Sequence, residues 1–304
     1  MLKQVIYLNS ALRLNIENRQ LRLVSYSEKD DTDSPDIKYR PIEDIGVLII
    51  DSPKIIMTSS VISTLMENKI AIICCDKKHL PSGLMLNISG NTLQTERMHD
   101  QLAASLPLKK RLWQQTVSDK IRNQAMALYH ETGKRHPRLS RLATQVKSGD
   151  SGNLEAKAAS YYWKNLWDSK MEFKRDRYGE DPNALLNYGY AILRSIVARA
   201  LVASGLHPTI GIFHKNKYNP YCLADDIMEP YRPYVDLLVS EIIKNNENPS
   251  LENKEIRKYL LSVPFLDVKI DGKIHPLMVA VSSTTSSLCK CYSGEMRKIK
   301  FPLI

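Results

Sequence analysis

The chain has 304 residues, 43% of them hydrophobic and 25% charged, which excludes a largely disordered protein and predicts a substantial core. No uncharged apolar run is long enough to cross a bilayer, and the N-terminal segment lacks the pattern of a secretion signal, so we expect a cytoplasmic protein without a membrane partner. The formal net charge of +10 favours a polyanionic partner, with nucleic acid as the leading candidate, over a basic surface that binds nothing.

The first part of the chain has the pattern of β-strands. Over residues 3–87 the apolar residues recur at period two or in short runs, as in VIYL, LRLNI, IGVLII and IAIICC. Only residues 58–68 predict a helix, with Thr58 or Ser59 as its N-cap. The acidic, proline-broken residues 27–41 predict a flexible loop between two strands.

Beyond residue 90 the pattern becomes helical, with apolar residues three and four positions apart. A small hairpin is expected around Asp271-Gly272, a dipeptide favoured in tight turns. Strands followed by helices predict an α+β protein, which we divide into a β-rich domain (1–95) and a larger, mostly α-helical domain (96–304). The predicted helices cover residues 94–106, 109–133, 153–168, 183–205 and 225–246.

The five cysteines do not indicate a metal site. Cys74 and Cys75 are adjacent, Cys289 and Cys291 are separated by one residue, and Cys222 stands alone. Neither pair has the spacing of a zinc knuckle. We expect reduced thiols in or near the core.

Glu155 is the first candidate for chemistry. Asn153 is a suitable N-cap, which places Glu155 in the first turn of a helix, near the positive end of its dipole. That position alone is a sufficient structural explanation of the acid.

A second group of candidates follows the apolar run GIF, which resembles the start of a buried strand and ends at His214. Asp226 and Glu229 are three residues apart and point to one face if a helix has begun, whereas Asp225 points elsewhere. The structural alternative is that Asp226 is an N-cap and Glu229 its reciprocal capping-box acid, and Pro230 fits a helix that has only just begun. If Glu155 and His214 converge with these acids, the group would bind a hard divalent cation such as Mg²⁺ or Mn²⁺.

Cationic residues cluster in the same helical part of the chain, which favours a groove for a polyanion. The aromatic residues 161–163 and 167 are expected in the core rather than as a platform for bases. The predicted DNA-binding residues are Lys109, Lys110, Arg111, Lys134, Arg135, Arg138, Arg141, Lys174, Arg175, Arg177, Lys215 and Lys217.

Three segments of the helical part carry a family resemblance. They are GNLEAKAASYYW (152–163), FKRDRYGEDPNALLNYGYAILRSIVARAL (173–201) and GLHPTIGIFHKNKYNPYCLADDIMEPYRPYVD (205–236). In this order they resemble the CRISPR-associated integrase of spacer acquisition. Within the last segment, YNPYCLADDIMEPYRPYVD is similar to the type II branch of that family. The resemblance implies a β-sandwich domain joined to a helical catalytic domain.

The resemblance also implies a metal-dependent DNA endonuclease and integrase that uses Mg²⁺ or Mn²⁺. The glutamate, the histidine and the last acid of the family fall on Glu155, His214 and Glu229. Asp226 occupies the position of a further acid, of second rank as a metal ligand. In the implied reaction, the 3′-hydroxyl of a short DNA fragment, the spacer precursor, attacks a phosphodiester at the edge of a CRISPR repeat.

The partners implied by the resemblance are double-stranded DNA, a second copy of the chain and a dimer of a small ferredoxin-like CRISPR-associated protein. The homodimer is expected to form through the N-terminal domain, and the type II RNA-guided nuclease is a further candidate partner. Two alternatives stay open. The chain is a general metal-dependent nuclease on branched DNA with water as its nucleophile, or a non-catalytic DNA-binding scaffold whose acids cap helices.

Overall fold

The computed structural model describes residues 4–26, 35–77, 81–87, 91–167, 173–176 and 179–304. The chain combines α-helices and β-sheets and divides into two compact units, Met1–Gly90 and Asn91–Ile304. The predicted domain boundary at residue 95 falls inside the first helix of the second unit, Gln94–Ala103.

Two four-stranded sheets form the first unit. The first has the order β1-β5-β7-β8 and the second β4-β3-β2-β6. Their strands are β1 (Gln4–Leu8), β2 (Leu12–Glu17), β3 (Gln20–Ser25), β4 (Ile37–Pro41), β5 (Ile45–Ile50), β6 (Ile55–Met57), β7 (Ala71–Cys75) and β8 (Pro81–Met85).

The central strand of the first sheet is β5, which pairs in parallel with β1 and β7. Its apolar sequence IGVLII is almost entirely buried, as expected for a parallel strand covered on both faces. Side chains of both sheets, such as Leu14 and Leu48, share one hydrophobic core with Leu65 of α1 (Ser59–Glu67).

Two local predictions in this unit have different outcomes. The helix predicted at 58–68 is confirmed as α1, with Thr58 as the N-cap that accepts a hydrogen bond from Val61 N. The prediction of a loop over residues 27–41 is wrong at its end, because residues 37–41 form β4 and pair with β3. Residues 27–34 lie outside the described part of the chain.

Helices dominate the second unit, and the predicted hairpin is confirmed as β9 (Asp267–Ile270) and β10 (Lys273–Pro276) around Asp271-Gly272. All five cysteines are free thiols and are buried or half-buried. The helices are α2 (Gln94–Ala103), α3 (Leu106–Thr132), α4 (Pro137–Gln145), α5 (Leu154–Leu166), α6 (Asn183–Ala203), α7 (Cys222–Met228), α8 (Arg232–Asn245), α9 (Lys254–Leu260) and α10 (Leu277–Tyr292).

Helix α6 is the central core helix of this unit. By length and composition alone it is apolar enough to cross a membrane, but 72% of its most apolar window is buried inside the protein. Its Gly189 lies against Val235 of α8 so closely that an added Cβ would be 2.5 Å from Val235 Cγ1. The apolar character of α6 therefore serves helix packing.

A buried carboxylate connects three of these helices. Asp236 of α8 is 1% exposed, and its two oxygens accept hydrogen bonds from Tyr162 of α5, at 2.9 Å, and from Tyr190 of α6. Burial raises the pKa of Asp236 to about 6, although the tyrosines and two arginines oppose that shift. Folding thus favours the protonated form of this group.

We expect Asp236→Asn to change how stability depends on pH. The folded protein holds the Asp236 proton more tightly than the unfolded chain, so wild-type stability falls as pH rises from about 4 to about 6 and is constant above that range. The variant lacks this component, so its free energy of unfolding rises by about 3 kcal/mol relative to that of wild type across the window. Urea unfolding of both proteins at a series of pH values measures it. Parallel pH profiles would show that Asp236 does not titrate in this range.

Candidate active site

Lys120 is the residue around which the candidate site is built, and sequence analysis missed it. It lies in the middle of α3 with its side chain 11% exposed. Its ammonium Nζ lies 2.7 Å from Glu155 Oε1 and 2.6 Å from Glu229 Oε2. One buried cation therefore joins two of the acids that the sequence indicated, although these acids are far apart in the chain.

Opposite charges keep this buried cluster ionised. Burial alone would lower the pKa of the Lys120 ammonium, but Glu229 and Glu155 outweigh burial and raise it. Burial would likewise raise the pKa of Glu229, but Arg232 and Lys120 lower it to about 2. Arg232 Nε also donates a hydrogen bond to Glu229 Oε1 at 2.9 Å. Glu229 is therefore a carboxylate at neutral pH, held by two cations.

Glu155 enters the site from the first turn of α5, as predicted, but the predicted cap is wrong. Asn153 has a positive φ of 50° and makes no side-chain capping bond. Instead Asp150 accepts hydrogen bonds from Leu154 N at 2.9 Å and Glu155 N at 3.0 Å. Asp150 accepts the hydrogen bonds of the free amides at the helix start, so the side chain of Glu155 is available to Lys120.

Asp226 organises the segment that carries His214. Its carboxylate is fully buried and accepts hydrogen bonds from the amides of Ile212, Phe213 and His214 at 2.6, 2.9 and 3.3 Å. The prediction that GIF forms a strand is wrong, because these amides bond to a carboxylate instead of to a neighbouring strand. Gly211 permits the tight path, since a Cβ there would lie 2.4 Å from the His214 carbonyl oxygen.

The same carboxylate fixes the ring of His214. Asp226 Oδ1 lies 2.5 Å from His214 Nδ1, and this hydrogen bond raises the pKa of His214 against the opposing effect of burial. The charges of Glu229 and Glu155 also raise the pKa of His214. The other ring nitrogen, Nε2, is left for a ligand or substrate.

The capping explanation of Asp226 and Glu229 is wrong. Helix α7 begins at Cys222, so Asp226 lies in its last turn and bonds to His214 rather than to amides at the helix start. Glu229 begins a short 3₁₀ turn, Glu229–Tyr231, that joins α7 to α8. Pro230 lies at the start of this 3₁₀ helix, as expected of a proline in a helix that has only just begun.

Asp225 points away from this cluster, as the sequence indicated. Its Oδ1 lies 2.6 Å from Arg194 Nε, and its Oδ2 accepts a hydrogen bond from Asn219 at 2.7 Å. These contacts tie α7 to α6 and to the preceding loop, which accounts for Asp225 without a catalytic role.

The sequence profile of the CRISPR associated protein Cas1 family matches residues 6–262. The chain belongs to the Cas1 family. A CRISPR-associated endonuclease Cas1 from Neisseria meningitidis serogroup C (strain 8013) is 35% identical over 277 residues, which cover 90% of this chain and 87% of the relative.

Solved structures show the same fold. A casposase bound to integration product superposes with a TM-score of 0.77 at 18% identity, over 98% of this Cas1-family chain and 92% of the casposase. A Cas6-RT-Cas1–Cas2 complex contains a chain with a TM-score of 0.74 at 22% identity, over 97% of this chain and 35% of that one.

The acids and the histidine of this Cas1-family chain suit a divalent cation. Among the described residues, no three carboxylate, imidazole or thiol groups lie close enough to bind one metal ion as they stand. The ammonium of Lys120 occupies the space between Glu155 and Glu229. Glu229 Oε2 is buried and lies 2.6 Å from the Lys120 ammonium. Two carboxylates and an imidazole are donors that Mg²⁺ and Mn²⁺ accept, so the residues fit a metal that replaces the ammonium.

An aromatic cluster, also missed in the sequence, supports His214. The rings of Trp113 and Phe213 stack in parallel with centroids 4.3 Å apart, and both meet the His214 ring edge-on at 5.5 Å. Trp113 is buried, whereas Phe213 is 45% exposed. The buried ring of α3 therefore fixes the position of His214 at the surface of the Cas1 site.

Most of the predicted DNA-binding residues are exposed in the described part of the chain, with Lys109 and Arg175 half-buried. Arg175 is tied to α6, because its Nη1 donates to Asn183 and its Nη2 donates to Asn187. The guanidinium of Arg138 lies over the ring of Tyr161. Arg177 lies outside the described residues.

Proposed function

We propose that this chain is a CRISPR adaptation integrase: a metal-dependent DNA endonuclease that inserts short DNA fragments into a CRISPR array by 3′-hydroxyl attack on the repeat. One observation carries the proposal. Helices α3 and α5 and the turn after α7 bring Lys120, Glu155 and Glu229 into direct contact beside His214. A group of this kind suits chemistry on a phosphodiester.

The metal ligands in this proposal are Glu155, Glu229 and His214 Nε2. Asp226 is a positioning residue rather than a ligand, because its carboxylate is saturated by three amides and the His214 ring. When bound, Mg²⁺ or Mn²⁺ supplies a Lewis acid that polarises the phosphodiester and stabilises charge on the entering or leaving oxygen. The hydrogen bond to Asp226 holds His214 in the orientation that presents Nε2.

Lys120 has two tasks in the proposed cycle. In the metal-free protein its ammonium neutralises Glu155 and Glu229, which would otherwise repel each other inside a buried site. With a metal held by Glu155 and Glu229, the ammonium would be free to pair with a phosphate oxygen of the DNA at the same site. Its charge then stabilises the phosphodiester as it reacts.

The proposed partners are the spacer precursor, the CRISPR repeat, a second copy of the chain and a dimer of the small ferredoxin-like CRISPR-associated protein. The solved casposase bound to integration product supports DNA as a partner, and the complex that contains Cas1 and Cas2 supports a small protein partner. We also propose that the N-terminal unit, with its two sheets, is a β-sandwich that dimerises, that the chain is cytoplasmic, and that it belongs to the type II branch, whose RNA-guided nuclease is a further partner.

A comparison of two DNA ends tests the reaction type. We expect the wild-type chain, with the small partner and Mg²⁺ or Mn²⁺, to join a labelled short duplex to a plasmid that carries a repeat, and to lose this activity in EDTA. A duplex with a 3′-deoxy end lacks the nucleophile and should give no joined product.

The other outcomes separate the alternatives. Cleavage of branched DNA that is indifferent to the 3′ end would favour a general nuclease with water as its nucleophile. DNA binding with neither joining nor cleavage would favour a non-catalytic scaffold.

A further inference from the structure

A second basic site lies in the helical unit, on the other side of α3 from the candidate active site. It is a groove of about 580 Å³ between α3, the end of α4 and the segment after α10. None of the described residues that line it is acidic. The lining consists of Arg111, Gln114, Gln115, Ser118, Arg122, Ala143, Thr144, Val146, Arg297 and Lys298.

Helical geometry separates this groove from the catalytic cluster. Residues 111, 114, 115, 118 and 122 recur at three- and four-residue spacing, so they form one stripe along α3. Lys120 is two residues from Ser118, which at 3.6 residues per turn places the two side chains on nearly opposite faces. DNA bound in the groove therefore does not occupy the site of Glu155 and Glu229.

Hydrogen bonds hold both walls of the groove onto α3. Gln114 Nε2 donates to the Val146 carbonyl at 2.7 Å, and Ser118 Oγ donates to the Ala143 carbonyl at 2.6 Å. On the other side Gln115 both donates to the Ile299 carbonyl, at 2.6 Å, and accepts from the Ile299 amide, at 2.9 Å. These hydrogen bonds hold the backbone that carries the cations of α3 and of residues 297–298 in a fixed arrangement.

Four exposed cations line the groove: Arg111, Arg122, Arg297 and Lys298. One of them is partly neutralised, because Arg122 Nη1 lies 2.5 Å from the buried Asp119. The charge of Lys298 also acts on that carboxyl, where it opposes the rise in pKa that burial causes. The groove therefore keeps a clear excess of positive charge.

The spacing of the cations matches a chain of phosphates. Arg111 and Arg122 are eleven residues apart on α3, or about 16 Å at 1.5 Å per residue. Measured along the axis of a duplex, that length spans about five phosphates of one strand, at roughly 3.4 Å of axis per phosphate. The apolar lining residues are limited to Ala143 and Val146, both buried, so the described groove offers no pocket for the aromatic anchors that dominate protein interfaces.

We infer that this groove binds the sugar-phosphate backbone of duplex DNA as a second site, separate from the DNA that reacts at the catalytic cluster. The inference rests on the proposed function, since joining two DNA segments requires the protein to hold both while their phosphates repel each other. Contacts of this kind position the duplex and do not read its sequence.

Salt dependence of DNA binding tests the inference without any chemistry. Binding of a short fluorescent duplex to the full chain is measured in EDTA over a series of salt concentrations, for wild type and for Arg297→Ala/Lys298→Ala. Each cation on a phosphate contributes about 0.9 to the slope of log affinity against log salt, so the double variant should lose up to about 1.8 from the slope. Arg111→Ala, on α3 between the two walls, should lose up to about 0.9.

The matched control is Lys254→Ala/Lys258→Ala, which removes the same charge from exposed positions on α9. Its slope should stay at the wild-type value. Equal slopes for wild type and both groove variants, or an equal loss in the α9 control, would overturn the inference. A third outcome would also overturn it. If polyglutamate bound to the wild type, and the groove variants abolished that binding but left the DNA salt slope unchanged, the groove would serve an acidic protein.

His214→Ala separates this test from the test of the proposed function. It leaves the groove intact, so its salt slope should equal that of wild type whether or not the chain joins DNA. If wild type failed to join DNA, or His214→Ala joined it at the wild-type rate, while the groove variants still lowered the salt slope, the result would count against the catalytic proposal alone.

Discussion

Glu229→Gln is expected to abolish most of the joining activity and to destabilise the fold. Glutamine keeps the shape of the side chain but removes the charge that pairs with Lys120 and Arg232 in a buried site. Breaking a buried ion pair from one side costs about 3 kcal/mol. The loss of one group that stabilises charge in the transition state lowers the rate by roughly 10²–10³-fold. Urea unfolding and the joining assay measure the two effects.

Glu131→Gln provides the control for this variant. Glu131 is also a largely buried glutamate of the helical unit, and it pairs with Lys244 at 2.7 Å, but it lies outside the candidate site. It should lower stability without a comparable loss of joining. If Glu229→Gln and Glu131→Gln reduced joining equally, the effect of Glu229 would reflect stability and not catalysis.

Lys120→Met is expected to lower the stability of the metal-free protein and to increase the stabilisation that a divalent cation gives. Without the ammonium, Glu155 loses its cation and Glu229 keeps only Arg232, which costs about 3 kcal/mol. A divalent cation no longer has to displace the lysine, so its affinity rises and it stabilises the variant more than wild type. The readout is the increase in melting temperature caused by Mn²⁺, which does not depend on activity.

Lys244→Met is the comparison for Lys120, because it removes a lysine that pairs with Glu131 alone. Its melting temperature should respond to Mn²⁺ as wild type does. If Mn²⁺ stabilised Lys120→Met no more than wild type, Lys120 would not occupy the place of the metal, and the proposed ligand set would be wrong.

Sequence reasoning selected the acids and the histidine, but it could not show how they are held. Glu155 and Glu229 were noted as acids at expected helix starts, and the family resemblance made them candidates for catalysis. Lys120 was not predicted, because a lysine in a charged helix usually faces solvent. The available signal was its register, since Trp113, Val117 and Lys120 follow the spacing of one buried stripe.

For the fold as a whole, the types of the elements could be predicted from the sequence, but the pairing of the strands could not. The change from period two to three-and-four spacing separates the strands from the helices, because that periodicity reflects which side chains must face a core. The parallel pairing of β5 with β1 and β7 did not follow, since an apolar run does not specify its neighbours. Likewise Asp150 was not recognised as the residue that caps α5, because it lies in a turn that precedes the helix and has no helical periodicity.

The central claim is that Glu155, Glu229 and His214 together perform metal-dependent joining of DNA. The most direct measurement is joining of a labelled 3′-hydroxyl duplex to a repeat-bearing plasmid by wild type, His214→Ala and Glu229→Ala, with the small partner and Mg²⁺ or Mn²⁺, and with DNA affinity and melting temperature recorded for each protein. We expect wild type to join DNA, and His214→Ala to bind DNA and fold normally but to join at least roughly a hundredfold more slowly. A His214→Ala protein that joins DNA at the wild-type rate would show that His214 has no part in the reaction.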